Sequence, residues 1–177
     1  MTKYVAFLRA INVGGHTVKM ERLSGLFESL GFARVETFIA SGNVIFETAA
    51  KNSAAFEKKI ADHLERDLGY EVDTFVRTIQ GTAEIEKRCP FRAKQKDDAV
   101  YVAFLHEPLD GAGKSALTAV KNKMNDFAVI DREIYWLRLK RDDSIFLKNS
   151  LEKIVKTSTT LRNMTTVGKI VEKWGSI

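Results

Sequence analysis

The order in which hydrophobic periodicity changes along the first 77 residues restricts the fold more than any other feature. Residues 4–9 are a short apolar run ending at Arg9. Met20, Leu23, Leu26, Phe27 and Leu30 then recur at helical spacing, and Gly31 stops that helix. Residues 35–39 and 44–47 flank Ser41-Gly42-Asn43, a hairpin signal. Phe56, Ile60, Leu64 and Leu68 lie four apart on a helical face ended by Gly69, and residues 72–77 read as a last strand. Strand, helix, strand, strand, helix, strand is the split βαβ pattern, so an α+β, ferredoxin-like subdomain with an antiparallel sheet is expected.

The pattern starts again after a change of character. Residues 81–98 hold a short helical stretch at 83–88, then Cys89-Pro90-Phe91 and a charged run, and read as a connecting segment. Residues 99–105 read as a strand, Leu117, Val120 and Met124 mark a helix, and residues 127–130 and 134–139 form a hairpin around Asp131-Arg132. Residues 145–155 read as helical. Where a final strand is due, Thr157 to Thr166 reads as none, and a helix follows with Val167, Ile170, Val171 and Trp174 on one face. Two tandem ferredoxin-like subdomains are therefore predicted, over 1–80 and 99–177, the second with a C-terminal helical tail that packs back on the body.

A chain of 177 residues buries about 70% of its unfolded surface and needs neither disulfide nor metal for a core. Cys89 is the only cysteine, so no intramolecular disulfide forms. The start offers only five apolar residues before Arg9, too few for a signal peptide or a membrane span. A cytoplasmic protein that does not enter membranes is expected. Lys and Arg number 28 against 23 Asp and Glu, for a formal charge of +5. The excess permits phosphate or nucleic-acid binding, but the charges interleave, as in Lys94-Gln-Lys-Asp-Asp98, and read as a solvated mixed surface.

The topology brings two polar segments to one end of the first subdomain. If β-strand one runs up and its helix returns down, the second strand runs up again. The loop after the first strand and the hairpin after the second then meet. Arg9, Asn12, Gly14, Gly15, Ser41 and Asn43 converge on this reading as a candidate ligand site. A guanidinium beside the Gly14 and Gly15 amides suits a phosphate or carboxylate. The plainer alternatives are an ion pair from Arg9 to Glu36 or Glu47, loop capping by Asn12, and ordinary turn roles for Ser41, Gly42 and Asn43. No neighbouring His or acid activates Ser41 as a nucleophile. His16 lies in the same loop and is the natural proton carrier there.

Four ordered motifs carry a resemblance: Phe7-Leu-Arg-Ala-Ile-Asn-Val-Gly-Gly15, Ser41-Gly-Asn-Val44, Cys89-Pro-Phe91 and Thr160-Leu-Arg-Asn-Met-Thr-Thr-Val167. Together they closely resemble domain-of-unknown-function family 1697. The resemblance implies two tandem ferredoxin-like subdomains and a mostly bacterial distribution; it brings no activity with it and leaves any cofactor unknown. Ala10 stands where many members carry glycine, Cys89 where asparagine usually precedes Pro-Phe, and Met164 where tryptophan is usual. The last motif raises a further reading, in which Arg162 and Asn163 reach the first subdomain's polar end and Arg162 completes an anion site. Capping of the last helix by Asn163 or Thr165 is the ordinary alternative.

Other motifs lead less far. Gly111-Ala-Gly113-Lys114-Ser115 imitates a P-loop, but Pro108 stands where that pattern needs its first glycine, and a helix capped by Asp110 explains the residues. His16, His63 and His106 are scattered, so no metal site is expected. Two functions stay open: a site for a small anionic or phosphorylated ligand at the first subdomain's loop end, or a nucleic-acid- or protein-binding module without catalysis. For the second, Phe7, Phe46, Tyr135 and Trp136 are the aromatics a sheet face would use to stack bases. No paired carboxylates, triad or metal-ligand spacing assigns a reaction.

Overall fold

The computed structural model describes residues 1–39, 42–140 and 148–175, without the side chains of 148–150. The protein is α+β, with two four-stranded antiparallel sheets and a C-terminal helix. It divides into two units, residues 1–82 with the chain end from Trp174, and residues 83–173.

The first unit runs β1 (Thr2–Leu8), α1 (Met20–Ser29), β2 (Ala33–Phe38), β3 (Asn43–Thr48), α2 (Ser53–Leu68) and β4 (Thr74–Thr78). The sheet order is β2-β3-β1-β4. Central β1 pairs with β3 and β4, Ala6 lying opposite Val44 on one side and Val76 on the other. Tyr4, Ala6 and Leu8 enter a core with Leu23, Phe27, Phe46, Phe56, Ile60 and Leu64. Val5 and Phe7 point the other way and are equally buried. Burial on both faces explains why β1 reads as a continuous apolar run rather than an alternating one.

α2 is defined at both ends by local chemistry. The Asn52 side chain accepts the Ala55 amide at 3.1 Å, and Gly69 follows the last turn in a left-handed conformation. Glu57 on this helix turns to the edge strand β4, where its Oε1 accepts the Val76 amide at 2.8 Å and Arg77 Nη1 at 3.3 Å. A carboxylate thereby occupies an amide that would otherwise offer itself to another strand.

α3 (Ile79–Lys87) follows β4 directly and spans the division between the units. The second unit continues with β5 (Ala99–Phe104), α4 (Gly111–Val120), β6 (Asn125–Ile130), β7 (Glu133–Arg138), α5 (Lys148–Val155), β8 (Thr160–Asn163) and α6 (Met164–Trp174), whose last residue falls to the first unit. Its sheet order, β6-β7-β5-β8, repeats that of the first. The hairpin at Asp131-Arg132 joins β6 to β7 with Asp131 at φ +51°. Trp136 donates Nε1 to Asn125 at 2.9 Å, and the Tyr135 hydroxyl donates to the Ile85 carbonyl at 2.8 Å.

β8 corrects the reading of residues 157–166 as strandless. Tyr101 pairs with Asn163 and Phe104 with Thr160, completing the fourth strand. Four residues containing Arg and Asn carry too little apolar periodicity to announce a strand. Pairing with β5 makes them one.

Candidate functional site

Three connections meet at one end of the first unit. β1 ends at Leu8, whose amide donates to the Gly42 carbonyl at 2.8 Å, tying the β1–α1 loop (9–19) to the β2–β3 turn. The Arg9 amide donates to the Asp73 carbonyl at 2.8 Å, tying the same loop to the α2–β4 connection (69–73). The Tyr70 hydroxyl reaches back to the Ile11 carbonyl at 2.9 Å. Gly42 is a point of close approach: a Cβ there would stand 2.7 Å from Ile11 Cγ2 and 3.1 Å from Leu8 Cβ, at φ +79°. Only glycine meets both demands.

The residues read from the sequence divide by role. Arg9 is half-buried at the head of the loop. Asn12 uses Oδ1 to accept the Val18 amide at 2.8 Å and so closes its own loop. Asn43 is buried and donates Nδ2 to the Phe38 carbonyl at 3.0 Å, bracing the hairpin. Gly14 and Gly15 are exposed at φ +65° and +86°, and among the described residues their amides donate to no protein acceptor. Ser41 lies outside the described residues. Glu47, one partner suggested for Arg9, meets Lys3 at 3.8 Å and Arg34 at 3.5 Å; Glu36, the other, accepts from the Trp174 indole at 3.1 Å within the same unit.

The α2–β4 connection escaped the sequence reading. Its Tyr70 stacks on His16 with ring centroids 3.8 Å apart and planes 18° from parallel. Burial raises the Tyr70 hydroxyl pKa, against the opposing pull of Arg22. The signal for this third loop was present, because the topology that brings the first two loops together also begins β4 at that end.

Arg162 and Asn163 belong to the second unit, on β8. Arg162 is buried and donates Nη1 to Thr160 Oγ1 at 2.8 Å and to the Leu161 carbonyl at 2.9 Å. Burial pulls its pKa down to about 10. Asn163 accepts the Thr165 amide at 2.8 Å and caps α6. Asn163 and Met164 line a cleft of about 380 Å³ together with Cys89, Phe91, Arg92 and Asp98, so two motifs far apart in sequence share one surface of this unit.

The family described as Protein of unknown function (DUF1697) matches residues 1–135. The chain belongs to this family. Within the match fall both loop motifs of the first unit and Cys89-Pro-Phe91; the segment 160–167 lies beyond it. Among solved structures, the DUF1697 chain is similar to a conserved bacterial protein, SP0830, from Streptococcus pneumoniae, with 21% identity, a TM-score of 0.75 and 99% of each chain covered. That likeness is one of fold. No curated protein matches the chain.

Two further motifs resolve simply. Asp110 Oδ1 accepts the Gly113 amide at 2.7 Å, so the P-loop-like segment carries a carboxylate where a phosphate would lie. Phe7, Phe46, Tyr135 and Trp136 are all buried, so none is presented for stacking on a base. No described helix is long and apolar enough to cross a membrane.

Proposed function

We propose that the loop end of the first unit binds a small anionic or phosphorylated ligand, on a scaffold of two ferredoxin-like subdomains. The shared strand order of the two sheets supports the scaffold. The observation that carries the site is the pair of exposed, unengaged amides at Gly14 and Gly15 on the loop headed by Arg9. Amides in left-handed glycines turn outward without a side chain between them and an anion, and a guanidinium supplies the charge that selects phosphate or carboxylate. Asn12 and Asn43 support the site by holding its loops, which keeps the cradle formed before ligand arrives.

A thermal-shift panel of phosphate, pyrophosphate, carboxylates and nucleotides tests this. A ligand at a hundredfold its dissociation constant adds about 2.7 kcal/mol of stability. The Arg9→Ala protein should keep its own melting temperature and lose the ligand-induced rise. Wild-type affinity in that variant, or no rise with any anion, overturns the proposal.

A further inference from the structure

The same loop end carries groups that an inorganic anion does not need. We infer that its ligand joins the phosphate to a planar aromatic ring, which stacks on His16; this rests on the anion-binding reading above. Tyr70 covers one face of the His16 imidazole at 3.8 Å, and its hydroxyl is itself held by the Ile11 carbonyl. His16 nonetheless remains exposed. An imidazole stacked on a tyrosine and still exposed offers a platform with little side-chain entropy left to lose on binding.

The loops at this end also expose apolar side chains. Among the described residues, the large hydrophobic side chains left exposed are Met1 at the chain start, Val13 and Ile39. Val13 lies three residues before His16, and Ile39 begins the β2–β3 turn at the same end. Ile39 is also β-branched and held at φ +54°, a conformation such residues rarely adopt. Exposed apolar groups, a strained turn and a half-stacked ring concentrated on one loop end match the side of a ligand that a ring presents, while Arg9 and the glycine amides match its phosphate. Nucleotides are the readiest members of this class.

Isothermal titration of AMP, ATP and inorganic pyrophosphate against wild type, His16→Ala, His16→Phe and Arg9→Ala tests the ring. The expected result is nucleotide affinity above that of pyrophosphate, weakened tenfold or more by His16→Ala, restored by His16→Phe, with pyrophosphate binding unchanged by either. Arg9→Ala should weaken nucleotides and pyrophosphate alike. If pyrophosphate binds as tightly as nucleotides and His16→Ala changes nothing, the aromatic platform is overturned while the anion site stands. If neither binds the wild type, both fall.

Discussion

The Leu8 amide donates to the Gly42 carbonyl at 2.8 Å, so the end of β1 and Gly42 are held as one piece. Gly42→Ala should break that piece. The new Cβ meets Ile11 and Leu8 at 2.7 and 3.1 Å while the backbone stays at φ +79°. A loss of about 2–3 kcal/mol is expected from crowding and left-handed strain together. Urea unfolding measures it, and a loss under about 1 kcal/mol would show that the turn yields.

Ala10 offers the opposite sign. It is exposed and sits at φ +57°, where its Cβ costs about 1 kcal/mol. Ala10→Gly should stabilise the protein by about 0.5 kcal/mol after the added freedom of the unfolded chain is subtracted. Ala10→Val should destabilise it by more than 1 kcal/mol, roughly. A raised midpoint for both variants would contradict the strain argument.

Glu57 and Arg77 form a buried pair whose carboxylate also accepts the edge amide of Val76. Removing the acid takes a buried carboxylate from Arg77, which keeps its bond to the Val76 carbonyl, and an acceptor from the edge amide at once. Glu57→Ala should cost about 3–5 kcal/mol. Glu57→Gln keeps an acceptor for Val76 and should cost visibly less. Equal midpoints for the two variants in guanidinium chloride would mean that the Val76 bond carries no part of the effect.

Alkaline titration isolates Tyr135. Burial pushes its hydroxyl up to about 12 from an ordinary 10. Between those values the folded protein holds a proton that the unfolded chain has released, so stability is full below pH 10 and falls through pH 12. Arg162, pulled down to about 10 from the ordinary guanidinium range, acts with the other sign: above pH 10 the unfolded chain binds the extra proton, and stability rises. Comparing wild type with Tyr135→Phe cancels the Arg162 contribution. From pH 9 to 12.5 the wild type should lose roughly 2 kcal/mol more than the variant. Parallel stability curves would place the hydroxyl in a more solvated setting than its bond to Ile85 implies.

Local residue patterns were enough to set the alternation of strands and helices and the meeting of two loops at one end of the first unit. Periodicity is a property of neighbours along the chain, so Phe56, Ile60 and Leu64 announce α2, and Asn52 and Gly69 bound it, without any distant residue. The meeting of the Arg9 loop with the Gly42 turn then follows from the order of elements alone. What each loop residue does depends on contacts made only in the folded chain. Asn12 and Asn43 have the composition of ligand contacts, yet their amides serve Val18 and Phe38, because turns leave backbone groups that need local partners. β8 exists because β5 supplies its hydrogen bonds, and Arg162 is buried because pairing turns alternate residues inward. The His16–Tyr70 stack unites residues 54 positions apart, a distance across which no local pattern speaks.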